Sequence, residues 1–160
     1  MSVDHSRTIL VMRHAEKPDD QLDPNLSSAG FARAKRLVSY VPETFGKPGL
    51  IIATAVSKHS ERPLQTVVPL AFDLSINPKT PFADDEYHKL AEHILKDPEY
   101  DVPLCVVCWH HGKIPQLMQA LGAPTGHYPT PWDPQVFNLI LRATLSKHGG
   151  VMVDQVEEPF

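Results

Sequence analysis

Cysteine is scarce in this chain of 160 residues, with only Cys105 and Cys108 present. A zinc ribbon needs a second pair, so that class of structural metal site is excluded. The two cysteines stand three apart in the apolar run Leu104–Trp109. On a strand such residues point to opposite faces and cannot close a disulfide, so two buried thiols in a reducing compartment are expected. Long hydrophobic runs are also missing. The polar stretch Met1–Arg7 precedes an apolar run too short for a signal-peptide core, and no segment approaches the ~20 residues of a membrane span. The expectation is a soluble protein of the cytoplasm with no membrane partner. Positive charge is not in excess either: the formal net charge is -4, with the two signs interspersed. No basic stripe offers itself to nucleic acid, so an anionic ligand must be held by a few local arginines. Nine histidines are present, but none has metal-ligand spacing, and no metal or cofactor is expected.

Proline, by contrast, is plentiful. Sixteen are present, clustered in connections such as Pro124, Pro129, Pro131 and Pro134, which favours stiff loops. Apolar residues make up 42% of the chain, enough for one ordinary core, and a single domain over residues 1–160 is expected.

Three short apolar runs read as strands buried on both faces: Thr8–Met12, Leu50–Ala53 and Leu104–Trp109. Helical patterns lie between them. Ser27 is placed to cap a helix whose inner face would be Phe31, Ala34, Val38 and Val41, with Leu26 and Phe31 spaced as a hydrophobic staple. A short helix is expected from Glu61 to about Val68, with Pro69 disfavouring its continuation. From Asp84 the stripe Tyr87, Leu90, Ala91, Ile94 and Leu95 predicts another, with Asp84 as its cap. A fourth would run from Ile114 to Leu121 and stop at Gly122. Residues 136–143 and 151–156 alternate as two edge strands around Lys147–Gly150. Buried strands alternating with helices imply a three-layer α/β/α sandwich with a mostly parallel central sheet.

Ligands of such sheets bind beyond the carboxyl ends of the strands. Arg13 and His14 follow the first run; Ser57, His59, Ser60 and Arg62 follow the second; His110, His111 and Gly112 follow the third. Forked guanidinium donors match phosphoryl oxygens. A neutral imidazole can attack phosphorus, and a second can stabilise the equatorial oxygens.

These segments resemble the histidine phosphatase (phosphoglycerate mutase-like) superfamily. Val11-Met12-Arg13-His14-Ala15-Glu16-Lys17 looks like its Arg-His signature, and Leu26–Ala34 like its first helix. Ser60-Glu61-Arg62-Pro63-Leu64-Gln65-Thr66 resembles its Ser-x-Arg-x-x-Gln-Thr segment, and Val107–Gly112 the strand and loop that supply a second histidine. The likeness runs from residue 8 to about 122. It implies that His14 is the nucleophile of a phosphohistidine intermediate and that Arg13, Arg62 and His111 form the phosphate pocket. Ser60 is a further phosphate contact or simply a helix cap. His110 is read as a hydrogen-bonded strand-end residue, and Glu16 and Lys17 as a solvated loop pair, with a place at the mouth of the site as the alternative. The family's acidic residue falls in Asp84-Asp85-Glu86; Asp85 is preferred because a capping Asp84 leaves it free to face the pocket. Ala15 and Glu16-Lys17-Pro18 stand where many members have glycine and asparagine. The long insertions of the mutases are absent, which favours a hydrolase of phosphomonoesters or phosphoramidates on a small substrate or a phosphoprotein. A phosphomutase and a non-catalytic phospho-ligand binder are the alternatives.

Overall fold

The computed structural model describes residues 6–160; the polar stretch Met1–His5 lies outside the described residues. Five strands form one sheet: β1 (Arg7–Arg13), β2 (Leu50–Ala53), β3 (Leu104–Trp109), β4 (Leu139–Leu145) and β5 (Val151–Glu157). Their order is β2-β3-β1-β4-β5. The first three are mutually parallel, and β4 and β5 are antiparallel to their neighbours.

The continuous apolar runs follow from burial on both faces. Ile9 and Val11 join Ile52, Val107 and Trp109 in the core beneath α3 (Tyr87–Lys96) and α4 (Ile114–Ala120). Leu10 and Met12 join Ile51 and Val106 beneath α1 (Ser28–Phe45) and α2 (Arg62–Asp73). Each such side chain contributes about 1.5–3 kcal/mol on leaving water. The expected α/β/α layering is therefore what forms. Cys105 belongs to one core and Cys108 to the other, both free and buried. Burial pushes the Cys105 thiol up to about 12 and raises Cys108 as well. No helix among the described residues is long and apolar enough to cross a membrane.

Several local expectations shift. Ser27 does cap α1, accepting from the Gly30 amide at 3.1 Å. The inner face, however, is Gly30, Ala34, Leu37 and Val41, while Phe31 is 46% exposed and no staple partner for Leu26. Gly30 sets that rotation, because it backs onto the chain just past β1: a Cβ there would stand 2.2 Å from the Glu16 carbonyl oxygen. Helix α2 runs through Pro69 to Asp73, since burial of Leu70 and Ala71 outweighs the hydrogen bond that proline forfeits. Ahead of α3, Asp84–Glu86 form a 3₁₀ turn whose cap position is Ala83, not Asp84; the Glu86 carboxylate accepts from the Ala83 amide at 2.9 Å. Leu95 is exposed at the edge of the stripe. Strand β4 starts three residues later than the pattern suggested, at Leu139, because residues 128–137 serve the site instead.

Gly30→Ala should lower stability by about 1–3 kcal/mol through this backbone clash. A urea midpoint that falls at constant m-value would report it, and an unchanged midpoint would remove the close approach.

Candidate active site

Strands β1 and β3 are paired so that Arg13 lies beside Trp109. The next residue on each chain is a histidine, and the two parallel strands therefore deliver His14 and His110 side by side. The His14 amide extends the ladder to the Trp109 carbonyl at 3.1 Å. The two imidazole rings meet edge to face with centroids 5.5 Å apart. The register sets the ring of His110, rather than that of His111, directly against His14, while His111 stays within electrostatic reach of Arg13 and His110. His111, one step further round the turn, lines a neighbouring cleft with Gly112 and Gln116. The signal is the pairing register, which puts the first residues past two parallel strand ends together.

His14 is 3% exposed. Its Nδ1 lies 2.7 Å from the Ala15 carbonyl oxygen, which can only accept, so Nδ1 carries the proton and Nε2 presents its lone pair. A guanidinium nitrogen of Arg13 faces that Nε2 at 3.4 Å. Burial drives the His14 pKa down to about 3, and Arg13, His110 and Arg62 push the same way. Burial likewise brings His110 down to about 4, with Arg62, His111 and Arg13 adding to it. Every charged side chain that bears on these two rings is thus basic.

The arginines are fixed by backbone oxygens rather than by carboxylates. Arg13 donates to the Pro134 carbonyl at 2.7 Å, and its guanidinium carbon sits 3.9 Å from the centre of the Phe137 ring. Phe137 also borders His14, at 6.4 Å between centroids. Desolvation lowers Arg13 to about 10, which leaves it charged at neutral pH. Arg62, at the start of α2, donates from Nε to the Asn25 carbonyl at 3.1 Å and from Nη2 to the Asp23 carbonyl. Neither Phe137 nor the Pro134 carbonyl was legible in the sequence, where the loop showed only its prolines.

Ser60 is buried, and its Oγ accepts from the Arg62 amide at 3.2 Å, although the cap position of α2 is Glu61, one residue further on. His59 is exposed. The rest of the Ser-x-Arg-x-x-Gln-Thr segment holds the loop after His14. Thr66 Oγ1 accepts from the Ala15 amide at 2.9 Å and donates to the Arg62 carbonyl at 2.7 Å. Gln65 accepts from the Leu26 amide and donates to Asn25 Oδ1.

The preference for Asp85 also shifts. Asp85 is exposed, and Glu86 is engaged by Lys89 at 2.6 Å and by the Ala83 amide. Asp84 is half-buried; its Oδ1 is buried without a hydrogen-bond partner, and its carbonyl accepts from Trp109 Nε1 at 3.0 Å. Burial raises its pKa, Asp85 adds to the rise and Lys113 opposes it. With Ala83 at the cap, Asp84 is the member of the trio whose carboxyl is turned inward. Glu16 is not a loose member of a loop pair either. Its carboxylate takes both Arg33 Nε and Nη2 at 2.9 Å, and Arg33 reaches on to Glu158 at 2.8 Å. Lys17 is exposed.

Two histidines and two arginines thus gather past the ends of the parallel strands, a set of side chains with the chemistry to hold a compact anion. No family model matches the sequence, and neither does any curated protein. Solved structures do resemble it. The protein histidine phosphatase SixA, solved with tungstate, matches with a TM-score of 0.66 at 16% identity over 94% of this chain and 96% of that one. A phosphoglycerate mutase from Plasmodium falciparum matches with 0.67 at 15% identity over 97% and 95%. A mycobacterial glucosyl-3-phosphoglycerate phosphatase matches with 0.58 at 16% identity over 94% and 97%. The chain therefore has the histidine phosphatase (phosphoglycerate mutase-like) fold.

Because His14 and His110 are held neutral in the fold but ionise near 6.5 when unfolded, the unfolded chain binds more protons between about pH 3 and 6.5. Stability should be complete above pH 6.5 and fall on acidification, by up to about 1.4 kcal/mol per pH unit for His14. His14→Ala should flatten the urea-midpoint profile between pH 4.5 and 6.5; an unchanged slope would show that His14 does not resist protonation.

Proposed function

We propose that this chain is a phosphatase of the histidine phosphatase superfamily that passes a phosphoryl group through His14, without a metal ion. The observation that carries the reading is the state of His14: buried, fixed with the proton on Nδ1, and flanked by Arg13, His110 and Arg62, whose charge disfavours its protonation. A lone pair on Nε2 facing an anion pocket is what in-line attack on phosphorus requires. A protein that only binds phosphate has no use for a neutral imidazole there, since a protonated one would attract the anion more strongly.

In the first step Nε2 of His14 forms the bond to phosphorus as the bond to the leaving oxygen or nitrogen breaks. Asp84, whose burial favours the protonated carboxyl, gives its proton to the leaving atom. In the second step water attacks the phosphohistidine and the Asp84 carboxylate takes its proton. The N–P bond then breaks, inorganic phosphate forms, and His14 is neutral again. Arg13, Arg62 and His110 hold the equatorial oxygens throughout. Donors of this kind are each worth about 2.7–4 kcal/mol in the transition state. The substrate is a phosphomonoester or phosphoramidate. The absence of the mutases' long insertions favours hydrolysis over phosphoryl return.

His14→Ala should lower turnover by a factor on the order of 10³ or more, as loss of a nucleophile does, with circular dichroism showing a folded protein. Rapidly quenched wild-type enzyme should carry phosphate in a linkage stable to base and lost in acid, mapping to the peptide with His14. Near-normal rates in the folded variant, or a label elsewhere, would refute the mechanism. Turnover should persist in a chelator.

Asp84→Asn should slow esters with poor leaving groups by about 10²–10⁴-fold and aryl phosphates far less, because a general acid matters in proportion to leaving-group basicity. Asp85→Asn should change neither. If the two variants trade behaviours, the acid is Asp85.

A further inference from the structure

Beside the phosphate pocket lies a cleft of about 490 Å³, a volume that suits a monosaccharide or a similar small ligand. His111, Gln116, Gln119, Thr125, Tyr128 and Trp132 line it, and no Asp, Glu, Lys or Arg does. It adjoins the reacting centre along two paths. His111 and Gly112 directly follow His110 on the turn out of β3, and the space where a Cβ of Gly112 would stand is open to 4 Å. On the other side, Trp132 donates from Nε1 to the Val136 carbonyl at 3.0 Å, within the loop that gives Pro134 and Phe137 to Arg13. One wall of the cleft is thus continuous with the groups around His14.

Two features of the lining specify an occupant. Its titratable side chains besides Tyr128 come down to His111, whose burial and whose neighbours Arg13 and Lys17 favour the neutral imidazole. Arg13 and Lys17 bear on the cleft only at its His111 end; a charged ligand group lodged further in, among Gln116, Gln119, Thr125 and Thr130, would lose water and gain no counter-ion from the lining. Second, the Gln116 Oε1 is buried with no hydrogen-bond partner. A turn of that amide towards the cleft would give the oxygen a donor from a ligand hydroxyl, which can also accept from the amide nitrogen. Gln119, Thr125 and Thr130 supply further groups of the same kind, and Tyr128, Pro131 and Trp132 supply apolar surface between them.

We infer that this cleft is the leaving-group subsite and that it selects a small, uncharged, hydroxyl-bearing group, so that the substrates are monophosphates of neutral sugars or polyols rather than of carboxylic acids. This rests on the phosphatase reading, which supplies the phosphoryl end. His111, on this assignment, is a residue of specificity rather than of phosphoryl transfer.

The test uses the full chain and three kinds of substrate. Phosphoramidate, which leaves as ammonia and needs no cleft, reports the phosphatase reading alone. Glucose 6-phosphate and glycerol 1-phosphate represent the proposed class, and 3-phosphoglycerate the excluded one. The better neutral substrate should exceed 3-phosphoglycerate by at least about ten-fold in kcat/KM. Gln116→Leu and the cleft-filling Gln119→Trp should bring that ratio close to one. Binding to His14→Ala, followed by the fluorescence of Trp132, should give the same ranking without turnover, and Gln116→Leu in that background should weaken the neutral ligand about ten-fold. A wild-type ratio near one, or a preference intact in both cleft variants, overturns the proposal. Hydrolysis of phosphoramidate without the ranking would sink the cleft and spare the phosphatase reading. A fluorescence ranking without any hydrolysis would do the reverse.

Discussion

A single hydrogen bond, 2.7 Å from Nδ1 of His14 to the carbonyl oxygen of the next residue, decides what the imidazole can do. It spends the ring's one proton on the Nδ1 side and leaves Nε2 unprotonated, with a guanidinium nitrogen of Arg13 3.4 Å away. Held by its own neighbour's backbone, the ring depends on how firmly that peptide is held. The Ala15 amide is bound by Thr66 and the Glu16 carbonyl by the amide and hydroxyl of Ser27. Gly30 packs against that same carbonyl oxygen, where no larger residue fits. The Glu16 carboxylate is gripped on both oxygens by Arg33. Two segments distant in sequence, the start of α1 and Thr66 of α2, thus converge on the loop that follows His14, and the tautomer of His14 is a property of the tertiary structure.

The same network joins the two ends of the described chain. Arg33 continues to Glu158 and to the Phe160 carbonyl, and the Glu158 amide donates to the Asn138 carbonyl at 2.7 Å. Asn138 follows Phe137, whose ring lies against Arg13 and His14. The antiparallel strands β4 and β5 therefore do more than complete the sheet: they carry the aromatic wall of the pocket and the carboxylate that balances Arg33. Burial raises the Glu158 pKa while Arg33 opposes that rise, so the pair is strong only while both partners stay in place.

How legible this was in the sequence divides along one line. Features set by local pattern could be read: the three buried strands, the Ser27 cap, the turn at Gly122, and the delivery of Arg13, His14 and Arg62 to one edge of the sheet. Features set by register or by packing between distant segments could not. His110 and His111 are indistinguishable until β3 is known to end at Trp109 and to pair with β1 at Arg13. Asp84, and not Asp85, is the one turned inward once Ala83 occupies the cap and Glu86 turns back on it. Phe31 sat on a plausible helical face, and the approach of Gly30 to Glu16 rotated that face by one residue. The partners of Arg33 lie 17 and 125 residues away, a separation no window of periodicity spans.

The electrostatic design follows from where the carboxylates are kept. Glu16 and Glu158 lie behind the His14 loop, saturated by Arg33, while Arg13 and Arg62 are anchored by carbonyls of Pro134, Asn25 and Asp23. A carbonyl fixes a guanidinium's direction without cancelling its charge. Had carboxylates done the anchoring, the field at His14 would be near neutral and a phosphoryl dianion would have to break ion pairs to enter. Here the positive field is intact before any ligand arrives. The donors are already oriented, which is the condition under which electrostatic stabilisation reaches the transition state without reorganisation. The cost is borne by the histidines. In that field a protonated imidazole is disfavoured twice, by burial and by the arginines, and this disfavour is what keeps Nε2 available for attack. Under the proposed function, anion capture and nucleophile activation are one effect of a single arrangement of charge.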